Sequence, residues 1–359
     1  MIIGIDVREG TRLQRAGKGE YVYRLTEKLI QNTKHEFVLF SDSDIPKTWA
    51  GPNTKFIVKK LPPMMWQLWM VWQLNTNPRV DVYFSPTSLI VPALVFKIPV
   101  VMAVMDFVSF VLPQTHNTKA RILEKIWMNR ALQNSRHIIS ISDSTKKDAT
   151  KLFEVLESKI TTIHLAASLP KEVTDLKWNY SRPIILHVGT LEPRKNLKRL
   201  VEAFGVVKKS QSSASLVLVG RWGWQSDQLK QAIKESEYTN DIHVLTNLDN
   251  TYTKSIYGEA DLFVFPSLYE GFGLPPLEAM TLGVPVVASN SSSIPEVVGD
   301  AAVLVKPKSV PDMADKINLV LSDNNLQTNL KNKGLEQARQ FSWGRTAEKT
   351  LSILENVST

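Results

Sequence analysis

Short apolar runs alternate with amphipathic stretches along the chain. In the first half, Ile2–Asp6, Phe37–Phe40, Val82–Phe84, Val100–Val104 and Ile138–Ile141 are compact β-branched or aromatic runs, and each predicts a buried strand. Glu20–Ile30 and Ala120–Leu132 have helical spacing. The second half is more regular. Ile184–Val188, Leu216–Val219, Ile242–Leu245, Leu262–Phe265 and Val284–Ala288 predict strands. Asn196–Lys208, Asp227–Lys234, Thr253–Tyr257 and Pro276–Thr281 predict the helices between them. Phe341–Val357 predicts a last helix, with Ser342 as its cap.

Strands that alternate with helices imply a parallel sheet covered on both faces, so the fold class is α/β. The polar stretch Ser168–Pro183 has neither period and reads as a linker. With 359 residues, two domains are expected: 1–168 and 169–340, each Rossmann-like and doubly wound, facing across a cleft. Ligands of such sheets bind outside the carboxyl ends of the strands, where strand order reverses.

The chain has no Cys, which excludes disulfides, thiolate metal sites and a Cys nucleophile, and suits a reducing compartment. Met1 leads directly into the first strand without the pattern of a signal peptide, so a cytoplasmic location is expected. The net charge of +8 is uneven: residues 1–168 carry 22 Lys and Arg against 14 Asp and Glu, and the rest carry 21 of each. A basic first half points to an anionic partner such as a membrane surface, or to a merely solvated surface. Ser88–Pro113 is apolar enough to suggest a span, but Lys97, Asp106, Pro92 and Pro99 interrupt it. Lys59 and Lys60 precede a segment with Trp66, Trp69 and Trp72, three residues apart. That spacing predicts Trp rings along one broad helical face, suited to a membrane interface or to core packing.

Three blocks can carry chemistry. In Asp261–Glu278, a strand ends at Pro266-Ser267, Gly271 and Gly273 form a turn, and Pro275-Pro276 open a helix. Such a helix start offers free N–H groups to phosphate oxygens, and glycines let backbone approach a ligand. Glu270 and Glu278 among these donors would repel an anion, so they suit a neutral group such as a sugar or ribose hydroxyl. In Gly189–Asn196, Arg194 and Lys195 are adjacent cations between a strand and a helix, suited to a diphosphate whose charge grows as it departs. Gly17-Lys18-Gly19 precedes the first predicted helix and reads as a weak phosphate-loop candidate without the full nucleotide fingerprint. Asp106, past the strand Val100–Val104, is a candidate to orient or deprotonate an acceptor hydroxyl, or a plain turn residue. Asp42 and Asp44 read as a solvated turn more readily than as a cation site. The six His residues have no metal-ligand spacing, though His187 at a strand end can touch a ligand. No nucleic-acid-binding pattern is present, so no nucleic-acid partner is expected.

GTLEPRKNLKRLVEAF, LVGRWGW, ADLFVFPSLYEGFGLPPLEAM and GVPVVASNSSSIPEVVGDAAVLV together resemble the large retaining glycosyltransferase family of GT-B fold (group 1, family 4). That family includes bacterial mannosyltransferases and sucrose- and glycogen-synthase relatives. The resemblance is dense over 184–306 and looser over 1–168. Its pair of Glu is met by Glu270 and Glu278.

The resemblance implies a nucleotide-sugar donor held by the second domain, and a last segment, 341–359, that crosses back to the first. Arg194 and Lys195 match the diphosphate-binding pair, Glu270 the acid facing the transferred sugar, and Glu278 the acid bonding the ribose. Phe272, Gly273 and Leu274 match the loop whose amides meet sugar and phosphate, and Gly271 in the same turn is a further donor-binding candidate. Gly17 and Gly19 match the loop over the diphosphate, and Gly189, at the start of the Gly189–Asn196 block, is a further donor-binding candidate. No metal or other cofactor is implied. The resemblance favours GDP-mannose over UDP-sugars and implies a glycan or lipid-linked sugar as acceptor, and the basic, Trp-bearing first half points to the inner face of the membrane. Many relatives have His-Asp where this chain has Met105-Asp106, a departure on the acceptor side for which His116 is a conceivable substitute. The alternatives are a non-catalytic sugar-nucleotide or membrane-binding protein, a nucleotide-sugar epimerase, or a phosphorylase.

Overall fold

The computed structural model describes residues 1–12, 15, 17–113, 118–170 and 172–358. They fall into two compact units. One holds the described residues of 1–165 and 342–358, and the other those of 166–341. His116 lies outside the described residues.

The first unit contains β1 (Ile2–Asp6), β2 (Glu36–Ser41), β3 (Thr54–Val58), β4 (Val82–Ser85), β5 (Val100–Val104), β6 (His137–Ser140) and β7 (Ile160–Thr162). They form one parallel sheet in the order β3-β2-β1-β4-β5-β6-β7. The second unit contains β8 (Ile184–Val188), β9 (Ser215–Val219), β10 (Ile242–Leu245), β11 (Leu262–Phe265), β12 (Val286–Ser289) and β13 (Val303–Val305). Their order is β10-β9-β8-β11-β12-β13, again all parallel. Both sheets are the doubly wound α/β architecture the sequence predicts.

Helices cover both faces, which is why the strands are nearly continuous apolar runs. In β11, Leu262 and Val264 enter the core under the helices Leu197–Val207 and Val310–Ser322. Phe263 and Phe265 enter the opposite core with Ala279, Met280 and Ile294. This period of two lets one four-residue strand join both cores.

The last helix, Trp343–Ser358, belongs to the first unit. The Trp343 ring packs 6.3 Å from that of Tyr21, and Thr346 Oγ1 donates to the His164 carbonyl at 2.8 Å. Ser342 Oγ accepts the Arg345 amide at 3.2 Å, the cap expected there.

Two expectations change in the first unit. The helix Pro63–Thr76 buries Trp66, Met70 and Leu74, leaves Trp69 half-buried and exposes Trp72. The three Trp therefore do not share a face. Steps of three residues drift by about 60° each around a helix, so Trp72 stands about 120° from Trp66, whereas steps of four drift by about 40° and keep Leu74 within about 80° of it. The outward face instead carries Met64, Met65, Leu68 and Trp72. Gly17 and Gly19 also differ from expectation. They lie inside the first turn of the helix Gly17–Leu29, not in a loop before it. A Cβ on Gly19 would stand 2.8 Å from the Glu9 carbonyl oxygen, so close packing requires that glycine. Gly17 has open space around it.

Candidate active site

In the second sheet the chain runs outward from β8 to β9 and β10, then returns to lay β11 on the other side of β8. The order reverses between β8 and β11, the place where ligands of such sheets bind, outside the carboxyl ends of the strands. The pairing of these strands ends at Phe263–Leu186. The loop after β8 carries Arg194 and Lys195, and the loop after β11 carries Glu270. Topology thus brings these groups together.

Glu270 is buried between the two cations. Arg194 Nη1 donates to Oε2 at 2.6 Å and Lys195 Nζ donates to Oε1 at 2.7 Å. Burial alone would raise the Glu270 pKa, but Lys195 and Arg194 hold it down at about 2. Burial lowers the Lys195 pKa despite Glu270. The rest of the Arg194 fork is engaged: Nε and Nη2 donate to Glu192 Oε1 at 3.1 and 2.8 Å, and Nη1 also reaches the Tyr269 carbonyl.

Both loops are fixed by side chains on neighbouring segments. Asn196, at φ +62°, donates to the carbonyls of Pro266 and Pro307, pinning the Arg194-Lys195 turn to the end of β11. The run Ser291–Ser293 follows β12. Ser291 Oγ donates to the Leu268 carbonyl, Ser292 Oγ accepts the Glu270 amide, and the buried Ser293 hydroxyl meets the carbonyls of Glu270 and Phe272. Sequence reasoning gives none of these serines a role, and the one signal is three consecutive hydroxyls between a strand and a helix. It misses Glu192 likewise, inside a block already singled out.

Gly271, Phe272, Gly273 and Leu274 lead into the helix Leu274–Thr281, two residues earlier than predicted, with Pro275 and Pro276 in its first turn. Gly273 sits at φ +123°, and a Cβ there would stand 2.8 Å from Ile294. The Phe272 ring turns to the core against Phe341, leaving its backbone in the loop. Glu278 Oε2 accepts the buried Tyr257 hydroxyl at 3.0 Å. Gly189, at φ +151°, closes β8 beside Lys195.

Asp106, Gly17 and Gly19 belong to the other unit. Asp106 Oδ1 accepts the Val108 amide at 3.1 Å, as in a turn. Asp42 pairs with Arg12 and Asp44 with Lys60, each at 2.9 Å, so cations engage both carboxylates.

Residues 170–337 match the model of the group 1 glycosyl transferases, and 16–169 match that of glycosyltransferase family 4. The O-antigen chain mannosyltransferase B of Escherichia coli is 34% identical over 69% of this chain and 68% of that protein. The serotype-specific mannosyltransferase WbdA of the same organism is 31% identical over 62% of this chain, but the match spans only 29% of WbdA. Among solved structures, sucrose-phosphate synthase from Thermosynechococcus elongatus superposes with a TM-score of 0.79 at 18% identity, over 99% of this chain and 98% of that one. Anabaena HepE in complex with UDP-glucose gives 0.77 at 17%, over 99% and 100%. These likenesses give the GT-B fold, and the chain belongs to the group 1 glycosyltransferases.

Proposed function

We propose that this glycosyltransferase moves mannose, with retention, from GDP-mannose to a hydroxyl of a glycan or lipid-linked acceptor in surface polysaccharide synthesis. The observation that carries this reading is the buried Glu270 carboxylate clamped by Arg194 and Lys195 at the switch point between β8 and β11. The choice of mannose rests on the two mannosyltransferase relatives.

In this reading the bond from the anomeric carbon to the diphosphate oxygen breaks, and a bond from that carbon to the acceptor oxygen forms. Arg194 and Lys195 stabilise the departing diphosphate as its charge grows, the work otherwise given to a metal ion. Attack on the face of departure places the acceptor hydroxyl beside the diphosphate, which takes its proton. Glu270 orients the sugar hydroxyls, and Glu278, fixed by Tyr257, holds the ribose.

Membrane association belongs to the proposal. Among the described residues no helix is long and apolar enough to cross a membrane. The outward face of Pro63–Thr76 exposes Met64, Met65, Leu68 and Trp72 beside Lys59 and Lys60, the composition of an interfacial helix. It would hold the enzyme at the cytoplasmic face, near a lipid-linked acceptor.

A thermal-shift series with GDP, UDP, ADP, GDP-mannose and UDP-glucose, without added metal, tests the donor. A ligand at a hundred times its Kd stabilises by about 2.7 kcal/mol. Melting temperature is expected to rise with GDP and GDP-mannose. A rise with UDP compounds alone overturns the mannose assignment, and no rise overturns the donor reading.

A further inference from the structure

His187 lies near the end of β8, one residue past the last pair of that strand with β11. Its side chain is fully buried. The ring lies nearly parallel to those of Phe263 and Phe265. Nδ1 is 3.0 Å from the Val264 carbonyl oxygen. A carbonyl only accepts, so Nδ1 carries the proton. The ring thereby satisfies a strand carbonyl just beyond the last paired residues of β8 and β11.

With Nδ1 protonated, the neutral ring has a bare lone pair on Nε2. Burial holds the imidazole neutral, with a pKa of about 3. Nε2 has no hydrogen-bond partner among the described residues. It stands 3.5 Å from the point a Cβ on Gly189 would occupy, and Lys195 Cε and Nζ stand 3.6 and 3.9 Å from that point. Nε2 and the ammonium thus border the same space beside the Gly189 turn.

An ammonium has three protons to give. Among the described residues Lys195 gives one, to Glu270 Oε1, and its Nζ lies 4.8 Å above the Phe265 ring. Two protons are left for other acceptors. A phosphate beside Gly189 takes one in the donor reading, on which this inference rests.

We propose that His187 is a positioning residue for Lys195, its Nε2 accepting the third ammonium proton when a nucleotide diphosphate takes the second. Glu270, phosphate and His187 then hold Nζ as a tripod, with the charge aimed at the departing oxygen. A hydrophobic side chain at 187 packs against the same rings but offers no acceptor. A protonated imidazole would repel Lys195, so burial of the ring serves the same end.

Two substitutions separate the ring's two nitrogens. His187→Asn keeps a donor where Nδ1 meets Val264 and removes the acceptor at Nε2. His187→Gln places an amide oxygen near the Nε2 position. The H187N variant is expected to melt near wild type and to bind GDP about tenfold more weakly, the loss of one hydrogen bond to a charged group. H187Q is expected to recover most of that loss. H187N binding GDP as wild type does would overturn the proposal.

A second measurement needs no variant. In the full chain with ¹⁵N-labelled histidine, GDP or UDP at saturation is expected to move the His187 Nε2 resonance upfield, as its lone pair takes a hydrogen bond. If nucleotide binds and this resonance stays, the proposal fails while the donor reading stands. If neither nucleotide binds, the donor reading fails and takes the proposal with it.

Discussion

Lys195 and Glu270 meet at 2.7 Å across 75 residues of sequence, both buried, so that the carboxylate compensates the ammonium and the ammonium, with Arg194, compensates the carboxylate. Removing one member of such a group strands the other charge. Glu270→Gln is therefore expected to destabilise the second unit by about 3–5 kcal/mol, read from urea unfolding. Adding Lys195→Met to E270Q is expected to recover much of that loss, because no uncompensated ammonium remains. A double variant less stable than E270Q would mean that packing, not charge, is the source.

Two depressed pKa values at the site, those of His187 and Glu270, make stability depend on pH. His187 is held near 3 against an ordinary 6.5. The unfolded chain takes up a proton as pH falls through about 6.5, which the folded chain refuses until about 3. Its contribution is complete above 6.5 and is lost towards 3. Glu270, held near 2 against an ordinary 4.5, adds a second loss lower on the scale. H187Q is expected to show a flatter decline of unfolding free energy between pH 7 and 5 than wild type. Equal slopes would show that the ring is not buried neutral.

The buried Tyr257 and the half-buried Glu278 form a second contact, at 3.0 Å. Glu278→Ala is expected to weaken GDP binding by about tenfold, the loss of a charge-assisted hydrogen bond to ribose. Tyr257→Phe removes only the hydroxyl and is expected to give a smaller effect in the same direction. Calorimetric titration with GDP and with its 2′,3′-dideoxy analogue checks both. A variant that has lost the ribose contact discriminates less between the two ligands than wild type does.

The outward face of Pro63–Thr76 is testable apart from catalysis. Leu68→Asp with Trp72→Ala is expected to abolish sedimentation with vesicles rich in phosphatidylglycerol and to leave the melting temperature within a few degrees of wild type. Unchanged sedimentation would remove this helix from the membrane account.

The strands of both sheets are legible because burial on two faces leaves little but Val, Ile, Leu and Phe in them. β1, β5, β8, β10 and β11 have the predicted ends. β3, whose Phe56 and Val58 face solvent at the sheet edge, escapes prediction, and its TKFIV carries Lys at the second position. The helices Val310–Ser322 and Asn324–Arg339 also escape it, the second being mostly polar around its circumference. Arg194, Lys195 and Glu270 are legible as chemistry, since each sits where a strand gives way to a helix. Their mutual clamp is not, because it depends on β11 returning to the side of β8 opposite β9. The Ser291–Ser293 braces and Nε2 of His187 depend on the same topology, and no spacing in the sequence reports it.

The central claim is that Lys195, clamped to Glu270, serves a departing nucleotide diphosphate. The most direct test measures mannose transfer from GDP-mannose to a lipid-linked mannoside, with chelator present, by wild type and by Lys195→Ala. The account expects the wild type to form product with retained anomeric configuration, and K195A to fall by about 100-fold or more, as when one transition-state charge contact is removed. Transfer by K195A at the wild-type rate would contradict it.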